Sequence, residues 1–167
     1  MKKVYTLKFR RRREGKTNYK KRLTILKSGK PRLIIRKSLT NTYIQMIRFE
    51  PDGDKVIAAG SGKDIKKAGW KHNTGNLPSA YLIGLFTGKK CLQKGIKDAV
   101  LDIGMQENVA GSRVYAALKG VVDAGLNIPH SKDILPSEER IQGKHISEYK
   151  KTDITKDFDE TKKSIMK

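Results

Sequence analysis

The sequence lacks most features that mark disulfide-stabilised, secreted or membrane-spanning proteins. Cys91 is the single cysteine, so an internal disulfide is excluded, and its position in a predicted helix favours packing over a nucleophilic role. No run of residues approaches the roughly 18 apolar residues that a transmembrane helix needs. The basic start of the chain lacks the apolar stretch of a signal peptide, so we expect the protein to stay in the cytosol.

Acidic residues are also scarce. The chain has 17 Asp and Glu against 37 Lys and Arg, which gives a net charge of +20 in 167 residues. Such a charge predicts a polyanionic partner, and nucleic acid is the first candidate. An acidic membrane surface is the second candidate, but the sequence has no lipidation motif and no basic amphipathic helix with aromatic anchors. We therefore expect a nucleic-acid-binding protein.

The positive charge is concentrated in the N-terminal part of the chain. Residues 1–30 hold 13 basic residues and one acidic residue, residues 31–129 hold 15 and 8, and residues 130–167 hold 9 and 8. The apolar content of 37% suffices for one compact domain. We predict a basic arm over residues 1–17 that is disordered until it meets its partner, a single α/β domain over residues 18–129, and an extended, charged C-terminal tail over residues 130–167 with short helical pieces.

Periodicity and turn residues predict the secondary structure of the central domain. A first helix is capped by Asn18 and carries Tyr19, Leu23 and Leu26 on its apolar side. The expected order is α-β-β-β-α-β-α, an α/β sandwich in which helices pack on a mixed sheet. The predicted strands span residues 32–36, 42–49, 55–59 and 100–103, and the later helices span residues 78–94 and the segment that Ser112 caps.

Four successive arginines, Arg10–Arg13, are the main chemical signal. Arginine binds phosphate through two parallel hydrogen bonds and stacks on bases, so such a block can follow an RNA backbone. Tyr5, Phe9 and Tyr19 lie among the charges, as stacking on exposed bases requires, although the helical spacing of Tyr19 favours a role as a core anchor. A nuclear-localisation patch and a solubilising tail are the alternative interpretations of the block.

Patterns that could carry catalysis are weak. The segments Gly60–Lys63 and Gly84–Lys90 resemble phosphate-binding loops, but neither has the Ser or Thr that a P-loop needs after its lysine. We expect the two glycines of the second segment, four residues apart in a helix, to allow close approach of another element. Asp98, Asp102 and Asp123 could form the metal site of a nuclease, but nothing in their spacing gathers them, and the histidines lack zinc-ligand spacing. We expect no enzymatic activity, metal or cofactor.

Seven blocks of sequence follow one another as they do in a known family: Phe9–Leu23, Gly29–Ser38, Thr42–Gln45, Ala80–Leu85, Ala99–Gly104, Gly111–Gly120 and Asp123–His130. They resemble the archaeal and eukaryotic branch of the large-subunit ribosomal protein L-eighteen family. The resemblance covers roughly residues 5–150, and residues 151–167 match no block.

The resemblance implies a cytoplasmic protein that binds 5S ribosomal RNA in the central protuberance of the large ribosomal subunit. Its implied partners are 5S rRNA, the large-subunit rRNA and neighbouring ribosomal proteins, and the implied fold is similar to the one predicted above. The family's basic arm matches Lys8–Arg22, and Asn18 stands where many relatives are expected to have Asp, which preserves the helix cap. The alternatives are an RNA-processing nuclease that uses the three aspartates and a DNA-compacting protein. The residues expected to bind RNA are Lys8, Phe9, Arg10, Arg11, Arg12, Arg13, Lys16, Tyr19, Lys20, Lys21, Arg22, Lys30, Arg32, Arg36, Lys71 and Arg113.

Overall fold

The computed structural model describes residues 6–166 and forms four strands and eight α-helices within them. The strands are β1 (Arg32–Lys37), β2 (Thr42–Arg48), β3 (Lys55–Gly60) and β4 (Val100–Asp102). The helices are α1 (Arg10–Arg13), α2 (Tyr19–Leu26), α3 (Gly62–Lys67), α4 (Leu77–Gln93), α5 (Arg113–Asp123), α6 (Glu138–Gln142), α7 (Lys144–Lys150) and α8 (Ile154–Met166). The predicted strands agree with these bounds to within one residue. None of the helices in the described part of the chain is both long and apolar enough to cross a membrane.

The strands form one mixed sheet in the order β3-β2-β1-β4. β1 pairs antiparallel with β2, β2 pairs antiparallel with β3, and β4 lies parallel to β1. The antiparallel neighbours are joined by short turns, whereas the parallel pair needs a crossover, which α4 provides. The prediction of a mixed sheet with helices packed on it is confirmed.

The hydrophobic core lies between one face of this sheet and helices α4 and α5. Side chains alternate along a strand, so Leu33 and Ile35 of β1 and Ile44 and Met46 of β2 point to the same face and are fully buried. The intervening residues of β1 point to the opposite face, which carries no comparable helical layer within residues 6–166. This second face of the sheet is therefore the one that remains for function.

Helices α4 and α5 approach each other closely at three glycines. A methyl group on Gly84 would overlap the backbone oxygen of Ala117, and one on Gly120 would overlap the backbone oxygen of Tyr81. Gly88 lies against the end of α5 in the same way. The expectation that Gly84 and Gly88 permit close approach of another element is confirmed.

The C-terminal segment differs from the extended tail that its composition predicts. Helix α8 packs along α4 and buries Ile154, Phe158, Thr161 and Ile165. These positions recur at intervals of four, three and four residues, so a helix brings them onto one face although the segment as a whole is highly charged. Ile141 of α6 is buried in the same core. The segment is a helical layer on the central domain because an apolar stripe, rather than the total apolar content, decides whether a helix can pack.

Helix α2 contacts the domain through a different side from the predicted one. Leu23 is 59% exposed, and none of the residues of α2, including Tyr19, is buried. The residues that face the sheet are Arg22, whose guanidinium pairs with Asp54, and Ile25, which lines a cleft with Ile34 of β1. The expectation that Tyr19 anchors a core is wrong, because the side of α2 that faces the sheet carries Arg22 and Ile25 instead.

Candidate nucleic-acid interface

A basic cleft of about 320 Å³ lies between helix α2 and the second face of the sheet. Two features build it. The period of two along β1 turns Arg32, Ile34 and Arg36 away from the core, and α2 runs above them. Six basic and two acidic residues line the cleft: Arg11, Lys16, Lys21, Arg22, Arg32 and Arg36, with Asp54 and Asp102. We call this site the basic cleft.

Two aspartates hold the three arginines at the floor of the basic cleft. Arg32 is only 3% exposed, and its Nη1 and Nη2 lie 3.0 Å from Oδ2 of Asp102 and 2.6 Å from Oδ2 of Asp54. Nη2 of Arg22 lies 2.9 Å from the same Asp54 oxygen. Nη2 of Arg36 lies 3.2 Å from Oδ1 of Asp102, and its Nη1 donates to the Asp102 backbone oxygen at 2.7 Å. Three guanidinium groups thus share two carboxylates, which leaves one positive charge uncompensated.

The three arginines differ in how far they remain available to a ligand. Arg32 is enclosed, and its guanidinium serves to join the β2–β3 turn to β4 through the two aspartates. The side chain of Arg36 is 40% exposed, and that of Arg22 is 35% exposed. A guanidinium fixed in this way meets a phosphate without losing further side-chain entropy. Arg32 is accordingly a positioning group, and Arg22 and Arg36 form the accessible floor.

The arm above the cleft contributes cations that are far more exposed. Within the part of the chain that the structure describes, the side chains of Arg12 and Arg13 form no ion pair or hydrogen bond with the protein. Nε of Arg10 lies 2.8 Å from Glu14, and Nε of Arg11 donates to the Thr17 hydroxyl at 2.9 Å. Residues 6–16 are all exposed, and Thr17 is partly buried. The arm therefore presents its arginines to solvent.

Glu14 is the only acidic residue of this arm, and it is neutralised locally. Nζ of Lys16 lies 2.9 Å from its Oε2, and Arg10 approaches the other oxygen. The hydrogen bonds from these two cations hold the pKa of the Glu14 carboxyl below its usual value, and Lys16 has the larger effect. The carboxylate stays charged and is masked by its neighbours, so it opposes phosphate binding only weakly.

An aromatic pair marks the junction of the arm and α2. The rings of Phe9 and Tyr19 lie 5.4 Å apart, centre to centre, at an angle of 46°. Phe9 is 73% exposed. The predicted cap of α2 is confirmed, because the side chain of Asn18 accepts a hydrogen bond from the backbone N–H of Lys21 at 3.1 Å. Tyr5, the other aromatic residue considered for stacking, lies outside the described residues.

The remaining basic residues predicted to bind RNA do not line the basic cleft. Lys30 lies at the start of β1, 3.7 Å from Asp98. Nη1 of Arg113 donates to backbone oxygens of the β1–β2 turn and of Gly75, the last at 2.6 Å, and so holds that turn in place. Lys71 lies beside α8, with its Nζ 4.0 Å from Asp157. Lys8 and Lys20 are exposed on the arm and on α2.

The aspartates considered for a nuclease do not gather. Asp102 belongs to the arginine network, Asp98 accepts a hydrogen bond from Asn127, and Asp123 accepts one from the Tyr81 hydroxyl and one from Lys119. Each carboxylate thus has protein donors of its own. Among residues 6–166 the structure brings together no group of three or more potential metal ligands.

The other patterns with a catalytic interpretation have structural roles. Asp64, the residue that breaks the first phosphate-loop pattern, accepts hydrogen bonds from the backbone N–H and the hydroxyl of Ser61 and so caps α3. Cys91 is fully buried in α4, and this burial raises the pKa of its thiol to about 11. A thiol with such a pKa is protonated at neutral pH and is not a nucleophile.

Sequence reasoning missed the acidic half of the basic cleft. Neither Asp54, in the β2–β3 turn, nor Gly104, just after β4, is among the residues that the sequence predicted to bind RNA. A Cβ at Gly104 would lie 2.7 Å from Nη2 of Arg36, so a side chain at this position would displace the guanidinium. One signal was available, because Arg32 and Arg36, four residues apart on a strand, share a face, and Asp102 lies within an apolar strand.

Two comparisons relate the chain to known proteins. Residues 3–100 and 93–131 match the family described as ribosomal large subunit proteins 60S L5 and 50S L18. A large ribosomal subunit protein uL18 from Methanothrix thermoacetophila is 46% identical over 162 residues, which cover 97% of this chain and 96% of that protein. The similarity thus extends through the arm, the sheet and the C-terminal helices.

Proposed function

The chain belongs to the family of ribosomal large subunit proteins 60S L5 and 50S L18 and is a structural constituent of the large ribosomal subunit, and we propose that it binds 5S rRNA there. In this proposal the arm and the basic cleft contact the RNA, and the protein attaches it to the large-subunit rRNA in the central protuberance. Neighbouring ribosomal proteins complete its surroundings in the assembled subunit in the cytoplasm. The role is structural and not catalytic.

The observation that carries the proposal is the convergence of six cations on the basic cleft. Its two carboxylates are already engaged by three arginines, so neither is free to repel a phosphate. The uncompensated positive charge is shared by Arg22, Arg32 and Arg36, and the cations Arg11, Lys16 and Lys21 line the same cleft. Such a floor favours a polyanion whose phosphates are spaced along a groove.

The arm extends the cationic surface beyond the floor of the basic cleft. Arg12 and Arg13 are exposed and free of protein partners within the described chain, so binding a phosphate does not require breaking an internal ion pair. Arginine forms two parallel hydrogen bonds to a phosphate and is the residue suited to following a folded RNA backbone. The proposal thus assigns positioning to the basic cleft and most of the phosphate neutralisation to the arm.

A nuclease that uses Asp98, Asp102 and Asp123 is the alternative that the sequence raised. The separate partners of these three carboxylates argue against it, because a metal site needs several of them to converge on one ion. Membership of a ribosomal protein family argues in the same direction.

The first prediction tests the arm. Replacing Arg10, Arg11, Arg12 and Arg13 together by alanine should weaken 5S rRNA binding on the order of a hundredfold at about 150 mM salt, because about four phosphate contacts are lost. The affinity should also depend less steeply on salt: the magnitude of the slope of log affinity against log salt concentration should decrease by about 3 for the same reason. Filter binding or fluorescence anisotropy with labelled 5S rRNA at several salt concentrations measures both quantities.

A matched control removes the same charge elsewhere. Lys132, Lys150, Lys156 and Lys163 are exposed in the C-terminal segment, and their joint replacement by alanine should leave the affinity within a few fold of the parent. Equal losses in the two variants would mean that binding follows net charge alone, and the assignment of the arm would be abandoned. The proposal also fails if the parent binds 5S rRNA no better than a transfer RNA under the same conditions.

A further inference from the structure

A second groove lies on the other side of helix α2. It encloses about 570 Å³ and is lined by Arg12, Gly15, Thr17, Asn18, Tyr19, Lys20, Leu23 and Met105. Lys21, Arg22 and Ile25 face the basic cleft, whereas Tyr19, Lys20 and Leu23 face this groove. At 3.6 residues per turn the two sets point in nearly opposite directions. We call this second site the α2 groove.

The α2 groove is unusual because it exposes apolar side chains in the most basic part of the chain. Leu23 is 59% exposed and Met105 is 57% exposed, and Tyr19, whose ring lies near that of the exposed Phe9, lines the same groove. Large apolar side chains gathered in one exposed depression mark a binding surface more often than scattered ones do. The volume of the groove falls within the range of roughly 300–1,000 Å³ found for small-molecule sites.

The charge on the rim of the groove narrows the choice of occupant. Arg12 and Lys20 line it, and none of its lining residues is acidic. An apolar floor with a cationic rim matches a nucleotide, because a nucleobase has a flat aromatic face and carries a phosphate on either side. A hydrophobic segment of another protein would use the floor but would have no need for the two cations.

The α2 groove is continuous with the basic cleft. Thr17, Asn18 and Met105 line both sites, so an RNA strand held in the basic cleft has a direct path around the N-terminal end of α2. We propose that the α2 groove binds one unstacked nucleobase of the bound RNA, stacked on Tyr19 and flanked by Leu23 and Met105, while Arg12 and Lys20 neutralise its neighbouring phosphates. This proposal rests on the proposed RNA-binding function and adds a subsite to it.

The aromatic pair gives the subsite its stacking platform. Phe9 contacts the Tyr19 ring from the arm, at 5.4 Å between ring centres, and so restricts the orientations that Tyr19 can take. Stacking on an aromatic ring accepts any base, because every base has such a face. The occupant is therefore defined by being unpaired, in a loop, a bulge or a single strand, and not by its identity.

The second prediction tests the subsite with Tyr19→Ala. The variant should bind 5S rRNA about 10- to 100-fold more weakly, as expected for one lost base stack, with an unchanged salt slope because no phosphate contact is removed. Tyr19→Phe, which keeps the ring, should bind like the parent. Tyr149→Ala removes a tyrosine that is 86% exposed on α7 and should also bind like the parent. Unfolding curves establish that each variant is folded.

A second RNA ligand distinguishes a bound nucleobase from other possible occupants of the α2 groove. A fully paired RNA helix offers phosphates but no unstacked base, so Tyr19→Ala and the parent should bind it equally. If Tyr19→Ala binds 5S rRNA as tightly as the parent does, the subsite is refuted while the RNA-binding function stands. A loss that is equal for 5S rRNA and for the paired helix also overturns it. If the parent itself fails to bind 5S rRNA, the proposed function fails first, so the two failures are distinguishable.

Discussion

At the scale of single residues, the decisive feature is the sharing of two aspartates among three arginines. Asp102 holds Arg32 through one carboxylate oxygen and Arg36 through the other, and its side chain is 10% exposed. Breaking an enclosed ion pair by removing one partner leaves an uncompensated charge without water around it, which is far more costly than losing a surface pair. The network therefore couples the stability of the domain to the geometry of its binding floor.

The third prediction follows from this coupling. Asp102→Asn should lower the free energy of unfolding by about 3 kcal/mol, because Arg32 keeps only the carboxylate that it shares with Arg22. Urea denaturation followed by circular dichroism measures the change. Asp98→Asn is the control, because Asp98 is 49% exposed and lies 3.7 Å from Lys30, and its loss should cost less than about 1 kcal/mol. Equal effects of the two substitutions would show that the network adds nothing to an ordinary surface pair.

At the scale of secondary-structure elements, the packing of α4 on α5 depends on the absence of side chains. Ala is the better helix former by about 1 kcal/mol, so intrinsic propensity alone favours replacing Gly84. The backbone oxygen of Ala117 occupies the place of the new methyl group, and a backbone atom of a packed helix cannot rotate away. Packing and propensity thus oppose each other at this position, and packing prevails.

The fourth prediction is that Gly84→Ala lowers the free energy of unfolding by about 3 kcal/mol, because α4 and α5 must separate to admit the methyl group. Gln93→Ala, at an exposed position of the same helix, should change it by less than about 0.5 kcal/mol. Thermal and urea unfolding of both variants measure the difference. A Gly84→Ala protein as stable as the parent would mean that the two helices are not held at the distance described.

At the scale of the whole molecule, a net charge of +20 in 167 residues opposes the compact state as long as no polyanion is bound. The charge is uneven, with 13 basic residues and one acidic residue in the first 30 positions, so the repulsion is strongest where the arm and α2 meet the sheet. Salt screens exposed charges over about 10 Å at 0.1 M, whereas enclosed pairs such as Arg32 and Asp102 are screened much less.

The fifth prediction concerns the sign of the salt effect. Raising KCl from about 20 mM to about 300 mM should increase the stability of the free protein by about 1 kcal/mol and its Tm by about 3 °C, because like charges are screened. Over the same range the affinity for RNA should fall by on the order of a hundred-thousandfold or more if about six phosphates are contacted, because the release of bound counterions becomes less favourable. Calorimetry of the free protein and binding titrations check the two trends. A Tm that falls with added salt would show that attractive surface pairs outweigh the repulsion.

Much of the fold could be predicted because it depends on local patterns. The alternation in β1, the cap at Asn18 and the glycines of α4 are properties of residues close together in sequence, and each directs the same local structure in any compact domain. The concentration of basic residues in the arm is likewise independent of folding, and it was sufficient to predict a polyanionic partner.

The sequence by itself therefore determined the four strands and the helices α2, α4 and α5, their order, and the basic character of the arm. The tertiary structure decided which arginines remain accessible, which side of α2 faces the sheet, and that the C-terminal helices pack on α4. Arg32 and Asp102 are 70 positions apart, and Arg22 and Asp54 are 32 apart, so their pairing follows from how the strands and α2 are stacked. Local periodicity fixes the direction of a side chain along its own element, but only the assembled elements determine what that side chain meets.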